Sequence, residues 1–241
     1  MEGGSLLTRF GITFDGNHSY RDYGLTVADK VIGNPSKIKV KERVPFSNEI
    51  YDFSGIYSGQ EYEERLLTYV FNVKDYDKID LSMKKVEVLN WVMRPNRKVK
   101  LIDDYIPGYY FMAEVEEDPD FDELRYHGRL TVNFIAYPFK IGELEEGNDL
   151  WDPFNFLLDY AQITEFDIRG SQNITLYNPG ANTIKPTIRT TTPMQIIKDG
   201  KTFNVPVGES ESYDFLLAGI ENKLTVRGNG KISFHFQKEL I

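Results

Sequence analysis

The strongest constraint on this chain is the strict period-two alternation in residues 173–236. Ile174 and Leu176 alternate with polar residues in 173–178. Leu224 and Val226 alternate ahead of Gly228-Asn229-Gly230, and Ile232, Phe234 and Phe236 alternate after it. Successive side chains of a strand point to opposite faces, so each such strand has one face in a core and one in water. The pattern predicts an all-β sandwich over the last third of the chain. Gly228-Asn229-Gly230 reads as a hairpin turn. Asp199-Gly200, between 195–197 and 201–205, carries the Asp-Gly hairpin signal.

The first half is different. Residues 10–14 alternate as a strand, turned by Asp15-Gly16-Asn17, and 23–27 continue in extended form. Lys37, Lys39, Lys41 and Arg43 line one face of a strand over 37–43. That stripe reads as a wet edge, with an acidic partner as the rival. Residues 45–55 read as loop. Leu67, Tyr69, Phe71 and Val73 alternate within 62–73. The spacing then changes to a helical period over 78–94, with Leu81, Val88, Leu89, Val92 and Met93 on one broad face. Asp80 or Ser82 is the expected cap, and Pro95 the stop. A strand through Val86 and Val88 is the alternative.

Strands resume at 99–102, 109–115 and 128–137, the last with Leu130, Val132, Phe134 and Ala136 on one face. The acidic run 116–123 reads as an exposed loop, and 151–160 as a short helical turn. The polar stretch 142–147, including Glu145-Glu146, reads as a linker. It divides the chain into 1–145, a β-rich domain with one helix, and 146–241.

Composition narrows the chemistry. The formal net charge is -9, which argues against a nucleic-acid grip, because phosphate binding needs clustered Lys and Arg. Cysteine is absent, so disulfides and thiolate metal sites are excluded. His18, His127 and His235 lie in separate segments without a metal-binding spacing, and His235 falls on the wet phase of its strand. Asp103-Asp104, before Ile-Pro-Gly, reads as a turn. The 116–123 carboxylates lack the order of a calcium loop. No Gly-x-Ser-x-Gly or phosphate-cradling glycine loop is present. The expectation is therefore no enzyme, with no catalytic, cofactor-binding or metal-ligating residues and no cofactor. Met1 to Leu7 lack a basic leader, and no run of 18 apolar residues occurs. That predicts a soluble protein made in the cytoplasm, without membrane insertion. Tyr51, Phe53, Tyr57 and Tyr62 concentrate aromatics in a glycine-bearing stretch. They are the candidate contact with another subunit.

Several phrases occur in a telling order. Phe14-Asp15-Gly16 is followed by Asp22-Tyr23-Gly24-Leu25, then by the helical segment 79–91. Next come 99–104 with Pro107-Gly108-Tyr109-Tyr110, and 131–138. Asn178-Pro179-Gly180, 185–188, 222–226 and Gly230-Lys231-Ile232 complete the series. This order resembles the distal tail proteins of long-tailed, non-contractile bacteriophages. The resemblance implies a mainly β fold. A β-sandwich-like N-terminal domain with one α-helix would be followed by a jelly-roll, galectin-like β-sandwich. It also implies a homohexameric ring at the tail tip of the virion, a baseplate hub for host attachment. Such a ring joins the tail tube protein, the tail-tip protein and receptor-binding proteins. Residues 150–241 leave no room for the long sugar-binding insertions of some members. The competing reading is a free-standing carbohydrate-binding lectin-like module, with Tyr177 and Tyr213 as stacking candidates.

Overall fold

The computed structural model describes residues 9–55, 60–75, 77–123, 127–148, 160–180 and 182–241. In chain order the elements are β1 (Ile12–Phe14), β2 (Asn17–His18), β3 (Thr26–Ile32), β4 (Lys41–Arg43), β5 (Ile50–Asp52), β6 (Arg65–Lys74), α1 (Lys78–Met93), β7 (Val99–Asp103), β8 (Tyr109–Val115), β9 (Asp120–Glu123) and β10 (His127–Ala136). Then follow β11 (Lys140–Glu145), β12 (Glu165–Asn178), β13 (Thr187–Thr190), β14 (Met194–Lys198), β15 (Lys201–Val205), β16 (Gly208–Ser210), β17 (Ile220–His235) and β18 (Gln237–Leu240). The chain is mainly β with one helix among the described residues. It forms two compact units: Met1–Ile38 with Tyr62–Lys140, and Lys39–Glu61 with Ile141–Ile241.

In the first unit β6 and β10 pair antiparallel along their full length, from Lys74↔His127 to Arg65↔Ala136. The register brings Leu67, Tyr69, Phe71 and Val73 onto the face of Leu130, Val132, Phe134 and Ala136, and all are fully buried. Each large apolar side chain so buried contributes about 1.5–3 kcal/mol. The sheet path runs β2-β1-β7-β8-β10-β6-β3. It curves far enough for Lys30 on β3 and Tyr69 on β6 to reach Asp103 on β7. The first turn is as expected: Asp15 and Gly16 both have positive φ between Phe14 and Asn17, the backbone of a two-residue hairpin.

The helix forms where the period changes, and Leu81, Val88, Trp91 and Val92 are its buried side. Its cap is Asp77, earlier than Asp80 or Ser82. Asp77 is extended, and its carboxylate accepts from the amides of Ile79 at 2.7 Å and Asp80 at 2.9 Å. Met93 turns outward, while Trp91, three residues past Val88, faces in. Its indole Nε1 donates to the Phe14 carbonyl at 2.9 Å. The acidic run differs from expectation too. Residues 120–123 form β9 and pair with Gly128 to Thr131 of β10. Phe121 supplies the reason: it packs on the core and lies over Gly128, where a Cβ would come within 2.5 Å of its ring.

In the second unit β12 and β17 make one long antiparallel ribbon, unbroken from Glu165↔Ser233 to Asn178↔Ile220. Gly228-Asn229-Gly230 is therefore no hairpin turn; it is the middle of β17. Both glycines have positive φ, and a Cβ on them would meet Met194 Cγ at 2.8 Å and Thr191 Oγ1 at 2.6 Å. The strand needs glycine because the 191–194 segment crosses it closely. Along β17, β14 pairs with Thr225 to Arg227 and β13 with Ile232 to His235. Asp199-Gly200 makes the expected two-residue hairpin between β14 and β15, with positive φ at both residues. The stretch read as a linker is largely strand. Residues 140–145 form β11, which pairs with β18, and Glu146 is buried with its amide donating to the Phe236 carbonyl. The charge of that stretch disguises a pairing that is made by backbone groups. Of the expected helical turn at 151–160, residues 151–159 lie outside the described residues.

Candidate interaction surface

The expected loop at 45–55 is half of a β-hairpin arm. β4 and β5 pair through Lys41↔Asp52, Glu42↔Tyr51 and Arg43↔Ile50. Phe53 donates its amide to the Val40 carbonyl at 2.8 Å, extending the pairing. Only 41–43 of the predicted strand 37–43 belong to this ladder; Lys37 makes an isolated bridge with Tyr62.

Period two gives the arm two faces. Lys41 and Arg43 share one with Ile50 and Asp52. Val40, Glu42, Tyr51 and Phe53 share the other. Tyr51 and Phe53, with ring centroids 6.2 Å apart, are 56% and 40% exposed, and Val40 and Ile50 are also exposed. At the tip Phe46 has a φ of 62° and a side chain wholly in solvent. A bulky residue in the left-handed region is uncommon.

The base of the arm is tied by polar contacts. Val40 donates its amide to Ser54 Oγ at 2.8 Å, and the Ser54 amide and hydroxyl both donate to Asp52. Lys39 Nζ lies 3.0 Å from the same carboxylate. The Ser54 bonds, and then Lys39, hold the Asp52 carboxyl well below the usual carboxylate range.

The structure brings together two of the four sequence-nominated contact residues. Tyr51 and Phe53 share the arm's aromatic face. Tyr62 is half-buried elsewhere, edge-on to Phe139 at 5.2 Å. Tyr57 lies outside the described residues. Val40 falls outside the nominated stretch, hidden within the basic stripe, and Phe46 sits in the segment 45–55 read as loop.

A second exposed apolar surface lies on α1. Ile79, Met83, Val86 and Met93 are all exposed, at spacings of four, three and seven. These positions form one stripe on the side of the helix away from Leu81 and Val88.

The titratable residues have local explanations. Asp103 is buried at the end of β7, where it accepts from Tyr69 Oη at 2.8 Å, Lys30 Nζ at 2.7 Å and the Tyr105 amide at 2.9 Å. Burial first, and then the Asp103 carboxylate, push the Tyr69 phenol far above its ordinary value, so it remains a donor. His18 is buried: Nδ1 accepts from the amides of Tyr20 and Arg21 at 3.1 Å, so Nε2 donates to Asp104 at 2.9 Å. Asp104 also accepts from the Gly11 amide. Asp103 and Asp104 are thus fully engaged in holding β1, β3, β6 and β7 together. His127 is exposed on β10. His235 is only half-exposed, because it bonds to Ser233 and to Glu145 at 2.9 and 2.8 Å. Among the described residues no three His, Asp or Glu side chains converge as a metal site would require. Tyr213 is 88% exposed, with Lys185 Nζ over its ring at 4.6 Å, whereas Tyr177 stacks on Tyr160 at 5.1 Å.

Known proteins share this architecture. A solved structure, the Dit protein of phage SPP1, matches 95% of this chain and 98% of its own length, with a TM-score of 0.66 at 14% sequence identity. This chain shares its fold. The SPP1 protein is described as a paradigm of the hub adsorption apparatus in phages that infect Gram-positive bacteria. The family model of a phage tail protein RIFT-related domain matches residues 39–136, less than half of the chain. That match begins at the arm and ends at the last residue of β10. No curated protein sequence matches the chain.

Proposed function

We propose that this protein is a structural hub of a long-tailed phage or prophage, a distal tail component of the virion. In this reading it joins the tail tube protein to the tail-tip protein and carries receptor-binding proteins. It performs no catalysis and needs no cofactor. The domain 146–241, a galectin-like sandwich in this reading, faces outward. The observation that carries the proposal is the likeness of fold to the SPP1 hub protein along 95% of the chain. The exposed aromatic arm is the feature expected of an assembling subunit.

A ring is built from heterologous contacts, in which one patch of a subunit meets a different patch of the next. The arm and the α1 stripe are two such patches, each apolar and each with a polar rim. We assign the aromatic face of the arm in one copy to the stripe Ile79, Met83 and Val86 of the next, six copies closing the ring. Sedimentation and light scattering across concentration, with electron microscopy of the purified protein, test this. Wild type should form closed rings. Tyr51→Ala with Phe53→Ala, and separately Met83→Glu, should keep the fold by circular dichroism and weaken association at least tenfold. A wild type that stays monomeric at high concentration removes self-assembly. Variants that still form rings remove the arm and stripe but leave the hub.

The second reading, a lectin-like module, has one observation in its favour: the open face of Tyr213 beside Lys185 and Glu211, which are paired at 2.6 Å. Saturable binding to a glycan array by a monomeric wild type, lost on Tyr213→Ala, would favour it.

A further inference from the structure

Strand β6 begins with a charge on its core face. Arg65 is in phase with Leu67, Tyr69, Phe71 and Val73, and only 2% of it is exposed. It sits opposite Ala136 in register, with its guanidinium 5.4 Å from the Phe111 ring centroid. Its Nε is buried and has no hydrogen-bond partner. No carboxylate among the described residues pairs with it. Glu64, its neighbour in the chain, is held by Lys98 at 2.6 Å, and Lys98 also takes Glu114 at 3.0 Å.

A second cation lies over the same face of β8, on which Tyr109 and Phe111 are two residues apart. Lys140 is half-buried, with Nζ 5.5 Å from the Tyr109 ring centroid. Burial, and then the charge of Arg65, push its pKa down. Two neighbouring cations without a counter-charge, one of them in the core phase of a strand, are strongly unfavourable. Contact with an aromatic face offsets only a small part of that. A guanidinium offers parallel N–H donors suited to a planar or tetrahedral oxyanion, and an ammonium adds a point charge.

We propose that Arg65 and Lys140 form an anion-binding site whose ligand is an oxyanion, a carboxylate or a phosphate. Two sources supply that chemistry: an acidic side chain of a second copy of this acidic chain, and free inorganic phosphate. The proposal uses no residue of the arm or of the α1 stripe and does not depend on the ring.

Calorimetric titration of the full chain with phosphate and with acetate, against chloride at matched ionic strength, tests it, together with melting and association at several protein concentrations. If the ligand is free phosphate, binding is saturable at one per chain and raises the melting temperature at every protein concentration. Lys140→Gln, at a half-exposed position, then weakens binding at least tenfold, and Arg65→Met abolishes it. If the ligand is an acidic side chain of another copy, phosphate competes with association, and both variants weaken association by a similar factor. The proposal is overturned if phosphate and acetate act as chloride does and Lys140→Gln associates like wild type. That arm decides the matter even if Arg65→Met fails to fold.

Discussion

The Tyr69 hydroxyl and the Lys30 ammonium meet on one buried carboxylate, Asp103, from strands far apart in sequence. Tyr69→Phe removes a donor and leaves that carboxylate short of a partner, which costs about 1–3 kcal/mol. Urea unfolding should show that loss, and Asp103→Ala should cost more, because Lys30 and Tyr69 both lose their acceptor. Asp52 gives a pH signature. Its carboxyl is held low in the fold, so its contribution is present above the unfolded carboxylate value of about 3.9 and is lost as pH falls through the lower folded value. Amide exchange at Val40 and Phe53, corrected for the intrinsic rate, should show flat protection from neutral pH down to about pH 4. Protection should then fall on further acidification. Loss of protection already between pH 7 and 5 would mean that the Ser54 and Lys39 contacts do not hold the arm.

At the scale of elements, β17 is the instructive case. Its apolar residues keep even numbering on both sides of Gly228-Asn229-Gly230, from Leu224 through Phe234, as one uninterrupted strand would. Glycines in that setting still read as a turn, because Gly-Asn-Gly is turn chemistry whenever nothing crosses the chain. Gly230→Ala should therefore destabilise the protein for two reasons, a φ of 135° and the approach to Thr191. Gly16→Ala, where φ is also positive but nothing lies within 4 Å, carries only the backbone term. Melting of the two variants should place Gly230→Ala lower. Equal melting temperatures would mean that the 191–194 segment yields to the new methyl. The helix is legible from its period and from Pro95; its cap is not, since Asp77 precedes the apolar pattern that marks the start, and Trp91 takes the buried place expected of Met93.

For the whole molecule, the division into 1–145 and 146–241 remains a proposal about independent folding. Strand β11 bears on it, because residues 141–145 group with the second unit and pair with β18. A fragment 146–241 leaves the β18 edge without that partner. A fragment 140–241 restores it, and should melt higher. If the two melt together, β11 contributes nothing to the second unit and the boundary after 145 stands.

The sequence by itself determined which residues alternate, where the period becomes helical, and where two hairpins turn at Asp15-Gly16 and Asp199-Gly200. Those properties follow from side-chain direction and from backbone preferences of a few adjacent residues. Tertiary structure alone decided the rest. Phe121 makes a strand of an acidic run because β10 offers it an edge and a glycine to lie over. Glu146 is buried because Phe236 accepts its amide. Tyr51 and Phe53 stay exposed while Tyr62 does not, since only Tyr62 meets Phe139. Arg65 occupies a core position that its own charge would have vetoed. In each case the partner is distant in the chain, and burial depends on who that partner is.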